Sequence, residues 1–511
     1  MNIHLKKIHV PVSPVLVLAL LALSAGSVAA ATCQDLTDAK LEHARIDSAA
    51  LEAPGAFVPP GGMGSGPSVY GDLPEFCRIT ATLTPSPDSN IKIEVWMPTE
   101  NWNGKYQAVG NGGWAGTISY TAMAQALERG YATSSTDTGH VGGRGQFALG
   151  HPEKLKDFAE RAVHEMALKS KMLIEDFYGR EPQYSYFVGC STGGKQGLTE
   201  AQRFPTDFDG IVAGAPANYM IHLHLWSIYV NNLAHRTPAS FLEPADLQVL
   251  KAGVMAQCDS LDGVEDGVLE NPHDCRFDPQ LVACESASAT GCLTPPKVVT
   301  ARSAYSPAKT AVGQLVFPSF EPGSEAGWPA LMGRKANDIP ADTFRYVIFK
   351  DPAWDPSTLD LNVDTEIADK VDGGLNNAIN PDLSPFFKNG GKLLMYHGWN
   401  DALIPPENSI NYYNSVANKL GGVSKIDNNM RLFMVPGMDH CRGGDGPNSF
   451  DAVSVMEQWR QQQEPPNEII ATHSTDGQVD RTRPLCKYPQ VAVYNGSGST
   501  DDAANFSCRV Q

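Results

Sequence analysis

Three residue types, met in one order along the chain, suit covalent acyl transfer. Ser191 lies in Val188-Gly189-Cys190-Ser191-Thr192-Gly193-Gly194, a Gly-x-Ser-x-Gly arrangement. A serine hydroxyl is a weak nucleophile until a base takes its proton. Histidine serves as that base when a carboxylate orients its ring and steadies the imidazolium. Gly398-Trp399-Asn400-Asp401 offers the carboxylate and Pro436-Gly437-Met438-Asp439-His440-Cys441 the imidazole. Asp401 is preferred to Asp439, which adjoins His440 in the chain and would strain to reach the far ring nitrogen. Cys190 precedes Ser191 and Cys441 follows His440. If these two bond, they join nucleophile and base through their neighbours. Closing a loop of about 250 residues is worth roughly 5 kcal/mol in the chain-entropy picture. The other reading is two buried free thiols.

A second group of side chains could hold a cation. Cys258-Asp259-Ser260-Leu261-Asp262-Gly263-Val264-Glu265-Asp266-Gly267-Val268 carries carboxylates at 259, 262 and 266 with glycines between them. Such a loop can wrap a hard cation with oxygen ligands, main-chain carbonyls completing the shell, which suits calcium. It lacks the spacing and terminal glutamate of an EF-hand, and on spacing alone an acidic turn is the plainer reading.

These residues need a scaffold. An apolar run, Tyr184 to Val188, leads into Ser191, and a helix-like run, Lys195 to Phe204, leads away. Strand, sharp turn and helix make the nucleophile elbow of an α/β-hydrolase, where glycines leave room for the turn. In that fold serine, acid and base follow in this order, the latter two in loops past strand ends. Ile91 to Met97 alternates as a half-buried strand. Lys105 to Val109 reads as the next, ending in Gly110-Asn111-Gly112-Gly113-Trp114-Ala115-Gly116, a turn able to aim N–H groups at an anion. Thr117 to Arg129 reads as helix, Tyr131 to Ser135 as strand, and Leu155 to Phe177 as one long amphipathic helix. Gly210 to Ala213 is a further strand, and residues 31 to 75 read as loop. This alternation implies a mainly parallel central sheet covered on both faces.

From about Ala217 to Pro385 the rhythm breaks into prolines, four of the ten cysteines and short helical pieces such as Ile221 to Leu233. The stretch is too long for a loop and reads as a large inserted lid domain. Alternation resumes with strands at Lys392 to Gly398 and Met430 to Val435, and helices at Asn408 to Leu420 and Val453 to Gln461. Asn467 to Ala471 and Gln490 to Tyr494 read as late strands. The expected division is a leader over 1–30, a first half of the core over 31–216, the lid over 217–385 and a second half over 386–511.

Lys6 and Lys7, the apolar run Val15 to Leu23, and Ser27-Val28-Ala29-Ala30 compose a secretory signal peptide cleaved near Ala29 to Ala31. The apolar run is too short to span a bilayer, and no later one is long enough to anchor the chain. A secreted or periplasmic protein with ten cysteines is expected to hold disulfides. The net charge of −18 over 511 residues disfavours nucleic acid and anionic membranes as partners. Nothing in the sequence sets the oligomeric state.

Cys190-Ser191, the distant Asp401 and His440-Cys441 together resemble the tannase and feruloyl esterase family of serine esterases, which includes mono(hydroxyethyl) terephthalate hydrolases. The resemblance runs from Cys33 to Cys508. It implies Ser191 as nucleophile, Asp401 as orienter, His440 as base and a Cys190–Cys441 disulfide. It implies an oxyanion hole from the Thr192 amide and one from the glycine turn, Gly113 or Gly112, because Gly110-Asn111-Gly112-Gly113 stands where many members have four glycines. It implies a structural Ca2+ in the lid, held by the Asp259, Asp262 and Asp266 side chains and the Val264 and Val268 carbonyls. The remaining pairs it implies are Cys33–Cys77, Cys258–Cys275, Cys284–Cys292 and Cys486–Cys508. The expected activity is hydrolysis of small aromatic esters, hydroxycinnamoyl esters first, with galloyl esters or terephthalate monoesters as alternatives. Trp226, Phe344, Phe349, Trp354 and Trp399 are candidates to stack on a phenolic ring, and Arg345 to meet a substrate carboxylate or galloyl hydroxyls. The rival readings are a non-catalytic calcium-dependent binding protein and a serine peptidase on the same fold.

Overall fold

The computed structural model describes Met1 and residues 31–60, 67–286 and 289–510. The expected leader, Met1 apart, lies outside the described residues. Strands β1 (Ala44–Glu52), β2 (Phe76–Leu83), β3 (Ile91–Pro98), β4 (Lys105–Val109), β5 (Ala132–Thr136), β6 (Tyr184–Cys190) and β7 (Gly210–Gly214) come from the first part of the chain. A short hairpin, β8 (Ala308–Lys309) with β9 (Leu315–Phe317), lies in the insertion. Then come β10 (Lys392–Gly398), β11 (Met430–Val435) and two hairpins, β12 (Glu468–Thr475) with β13 (Gln478–Cys486) and β14 (Gln490–Tyr494) with β15 (Phe506–Val510).

Nine strands form one sheet in the order β1-β2-β3-β5-β4-β6-β7-β10-β11. From β5 to β11 every pairing is parallel, and β1, β2 and β3 add an antiparallel edge. The expected mainly parallel sheet of an α/β-hydrolase is therefore present. Side chains alternate across it. On β6, Tyr186 joins Ala126, Met456 and Trp459 on one face, while Phe187 joins Met166, Leu198 and Val416 on the other.

Two expectations need correction. Residues 31–75 are not all loop, since β1 lies there. It is the outer strand and buries only Ala49 of its nine residues, so it carries no apolar alternation. The helix expected over Leu155 to Phe177 is three pieces: Pro152–Lys156, a π-turn at Asp157–Arg161, and Ala162–Tyr178. The wider turn carries Asp157, which is buried and accepts from Arg161 Nε at 2.6 Å and Ser89 Oγ at 3.1 Å.

Between β7 and β10 the chain forms helices Met220–Ala234, Pro244–Cys258, Pro295–Ala304 and Leu361–Asp372 among short turns. Proline opens two of them, where its missing N–H costs nothing. Their apolar cluster holds Trp226, Phe317, Phe320, Trp328 and Phe344, and it also takes in Trp114 and Phe158 from the sheet half. All five disulfides pair as the resemblance implies.

Candidate active site

Ser191 sits between β6 and the helix Thr192–Arg203 with φ +64° and ψ −124°, a conformation that side chains disfavour. The turn is tied down on both sides. The Ser191 N–H donates to Gly214 O at 3.0 Å, and its carbonyl accepts from Lys195 at 3.0 Å and Ala217 at 3.1 Å. A methyl group on Gly189 would come within 2.5 Å of the Gly193 carbonyl carbon, and one on Gly194 within 2.4 Å of Gly214 O. Glycine at these places is the condition for strand and helix to meet so closely.

Asp401 follows β10 and is fully buried. Its Oδ1 accepts from the Leu403 and Ile404 amides at 2.8 and 2.9 Å. Its Oδ2 takes His440 Nδ1 at 2.7 Å and His397 Nε2 at 3.1 Å. Burial alone would push this carboxyl up, but the His440 charge beside it and hydrogen bonds from both histidines hold it well below the usual carboxylate range. The reciprocal effect acts on His440. Burial disfavours its imidazolium, yet the Asp401 charge and hydrogen bond raise its pKa above that of a free ring. Asp439 is exposed and makes no bond to His440, whose Nδ1 meets Asp401.

Cys190 and Cys441 are bonded, with Cα atoms 6.0 Å apart across 251 residues of sequence. The bridge sets Ser191 and His440 as neighbours of its two ends. Among the described residues, the Ser191 hydroxyl and His440 Nε2 make no hydrogen bond, to each other or elsewhere. The relay therefore runs from Asp401 to the His440 ring and stops there, as is common before substrate closes such a contact.

The Thr192 amide opens its helix, where N–H groups lack helical partners and the dipole favours negative charge. Gly113 has φ +53°. The Thr192, Gly112 and Gly113 amides donate to no group of the described chain. What fixes the glycine turn is a pair that sequence reasoning did not single out. Asn111 N donates to Gln196 Oε1 at 3.0 Å, and Gln196 Nε2 to Asn111 Oδ1 at 3.1 Å. Asn111 Nδ2 also reaches Thr117 O and Thr136 O, each at 2.9 Å. Gln196 rides on the helix that Ser191 starts, so the glycine turn and that helix share one support.

His397 was likewise missed as a site residue. It is fully buried on β10, with Nδ1 2.7 Å from Ser409 Oγ and Nε2 also 2.9 Å from Ile404 O. The available signal was a histidine near the end of a strand, four positions before the acid.

The aromatic candidates divide. Trp226 and Phe344 are fully buried; Trp226 packs on Phe317 and Phe320, and Phe344 on Phe349 and Trp354. Both belong to the core of the insertion rather than to a ligand surface. Phe349 and Trp354 are half-buried, and Trp399 meets His273 edge-on at 4.9 Å. Arg345 is engaged by Trp354 O at 3.1 Å and faces Asp338 at 4.0 Å. Ile339, not anticipated, reaches the glycine turn: its Cδ1 would lie 3.1 Å from a methyl group on Gly113, and its carbonyl accepts from Trp114 Nε1 at 3.0 Å.

In the acidic loop, Gly263 (φ +88°) and Gly267 (φ +77°) turn the chain around Asp259, Asp262 and Asp266. The carboxylates hold loop amides: Asp259 takes Gly267, Asp262 takes Val264 and Glu270, and Asp266 takes Val268, all at 3.0–3.1 Å. Asp266 also pairs with Arg483 at 2.7 Å. Among the described residues Asp259 and Asp262 have no cationic partner.

Comparison with known proteins bears on this arrangement. A family profile described as tannase and feruloyl esterase matches residues 77–509. An uncharacterised esterase of Xanthomonas campestris is 35% identical, over 94% of this chain and 91% of that protein. A probable feruloyl esterase B-2 of Neosartorya fischeri is 34% identical over 85% and 86% respectively. The crystal structure of feruloyl esterase B from Aspergillus oryzae superposes with a TM-score of 0.86 at 33% identity, covering 92% of this chain and 98% of that one. The tannin acyl hydrolase of Aspergillus niger shares the fold, with a TM-score of 0.75 at 23% identity and 92% of both chains covered.

Proposed function

This chain belongs to the tannase and feruloyl esterase family and is a carboxylic ester hydrolase, and on that premise we propose that it works through an acyl-enzyme on Ser191. Ser191 Oγ attacks the ester carbonyl carbon while His440 Nε2 takes its proton. Asp401 fixes the ring with its proton on Nδ1 and offsets the charge it gains. The Thr192 amide and that of Gly113, with Gly112 beside it, receive the negative oxygen of the tetrahedral intermediate. The intermediate collapses as His440 returns the proton to the leaving alcohol. Water then attacks the acyl carbon with the same base, freeing the acid. The observation that carries this reading is the 2.7 Å contact of His440 with a fully buried Asp401, joined through Cys441–Cys190 to the residue before Ser191.

The substrates we infer are small aromatic esters, hydroxycinnamoyl esters before galloyl esters or terephthalate monoesters. In support, the similar proteins are named feruloyl esterases, and Ile339 brings an apolar wall of the insertion to the glycine turn. The insertion over 217–385 then acts as the lid that shapes the acyl pocket. The chain would act outside the cytoplasm, after loss of its leader.

Calcium is proposed for the acidic loop. The oxygens available fit a hard cation: the Asp259, Asp262 and Asp266 carboxylates and the Val264 and Val268 carbonyls. Bound there, the ion would neutralise the loop's acidity and hold it closed, with no part in the chemistry of Ser191.

The decisive test is labelling by an organophosphonate, with methyl ferulate, methyl gallate and a terephthalate monoester assayed side by side. One label per chain on Ser191, and a fall of about 10^5-fold in kcat for Ser191→Ala, are expected. A chain that takes no label, or an S191A variant with full activity, overturns the mechanism. Faster turnover of gallate than of ferulate would change the substrate and leave the mechanism standing, while cleavage of the matching anilide at the ester's rate would mark a peptidase. Chelation is expected to lower Tm by several degrees and to leave phosphonate labelling stoichiometric below that Tm.

A further inference from the structure

We propose a binding site for a transition-metal dication of the zinc class at His164, Glu200 and Asp207, separate from Ser191 and from the acidic loop. His164 is on the helix Ala162–Tyr178, Glu200 on the helix Thr192–Arg203, and Asp207 in the turn before β7. One ligand atom from each lies within 4.8 Å of the other two. Donors on a tetrahedral zinc-class ion sit about 2.1 Å from it and thus about 3.4 Å apart, so side-chain shifts on the order of 1 Å close the set.

The cluster is built differently from an ordinary ion pair. Glu200 is 1% exposed, and neither of its carboxylate oxygens has a hydrogen-bond partner. Asp207 is also buried; His164 Nδ1 is 2.6 Å from its Oδ2, and its carboxylate lies against that of Glu200. Lys171 gives its ammonium to the Asp207 main-chain oxygen instead. Among the described residues no lysine or arginine pairs with either carboxylate. A buried carboxylate without donors is costly unless a cation compensates it. One imidazole with two carboxylates suits zinc or its first-row neighbours and offers too few oxygens for calcium. The His164 ring stacks on Phe204 at 4.0 Å, which fixes its plane, and its side chain is 24% exposed, so an ion and a water ligand can reach the site.

Glu200 is nine residues beyond Ser191 on the same helix, about 13 Å along its axis. The ion would therefore brace the far end of the nucleophile's helix and not touch substrate. The alternative is a proton shared between Glu200 and Asp207, which needs no metal.

The test uses the full mature chain, stripped with chelator and returned to saturating calcium, then titrated with Co2+. Visible ligand-field bands that saturate at one equivalent, are displaced by Zn2+ and are absent in Glu200→Gln and His164→Gln are expected, with Zn2+ raising Tm of the parent alone. Parent-like hydrolysis of methyl ferulate, or of whichever ester the parent cleaves, verifies that both variants are folded; near-ultraviolet circular dichroism gives the same check should the parent cleave none. Absence of bands at one equivalent, or bands unchanged in both folded variants, overturns the proposal and leaves the shared proton as the account of the cluster.

Discussion

Asp401 and the Glu200–Asp207 pair are both buried beside a histidine, and their surroundings differ. Asp401 has four donors: two main-chain amides and two imidazoles. Glu200 has none, and its neighbour Asp207 has one, from His164. Burial opposes a charged carboxylate at both sites. The His440 charge and the hydrogen bonds of both histidines hold the first well below the usual range, fit to steady a positive ring. At the second, burial and the neighbouring Asp207 push Glu200 up, with the Lys171 charge acting the other way, and the site suits a proton or a cation. The partners around each carboxylate, more than its depth, separate the proposed orienting acid from the proposed ion ligand.

The strongest way to break this contrast is Asp401→Asn. It keeps the shape and removes the charge, and kcat is expected to fall about 10^4-fold. The same variant sharpens the pH dependence. In the proposed mechanism His440 is neutral when it takes the serine proton, and Asp401 raises its pKa. In the parent, kcat/KM should therefore fall as pH drops through a value above that of a free imidazole. Without the Asp401 charge, burial dominates and the acid limb should move to lower pH. A limb that stays in place would show that Asp401 does not set the protonation of the base. His397→Gln removes one donor of four and should lower kcat about tenfold with KM unchanged, the scale of one hydrogen bond to a charged group. Full activity would mean that the two main-chain amides suffice. The smallest effect is expected from Glu200→Gln in chelator-treated protein. Removing a carboxylate that has no donors should leave stability within about 1 kcal/mol of the parent or raise it. A large loss in thermal melts would reveal a partner that the geometry does not show.

The candidate triad was legible because the elbow motif and the chain order of serine, acid and base mark a mechanism rather than a shape. The cysteines beside Ser191 and His440 tied that order to a family and, through it, to a pairing. His397 was hidden for a simple reason: on a strand buried on both faces, a histidine looks like one more inward side chain. Asn111 was visible in the glycine turn, but its partner Gln196 is 85 residues on and no local pattern links them. β1 escaped because an edge strand exposes most of its side chains. The His164, Glu200 and Asp207 cluster draws on three elements, so only folding brings it together. Trp226 and Phe344 had the right chemistry for stacking on a substrate, but the insertion uses them to fill its own interior.

The bond between Cys190 and Cys441 also sets an order of events during synthesis. At typical elongation rates roughly 10–50 s separate the emergence of one cysteine from that of the other across 251 residues. Cys258, Cys275, Cys284 and Cys292 all emerge in that interval. An oxidant that joined thiols as they appeared would pair Cys190 with Cys258, so maturation needs either a delay or an isomerase that undoes early partners.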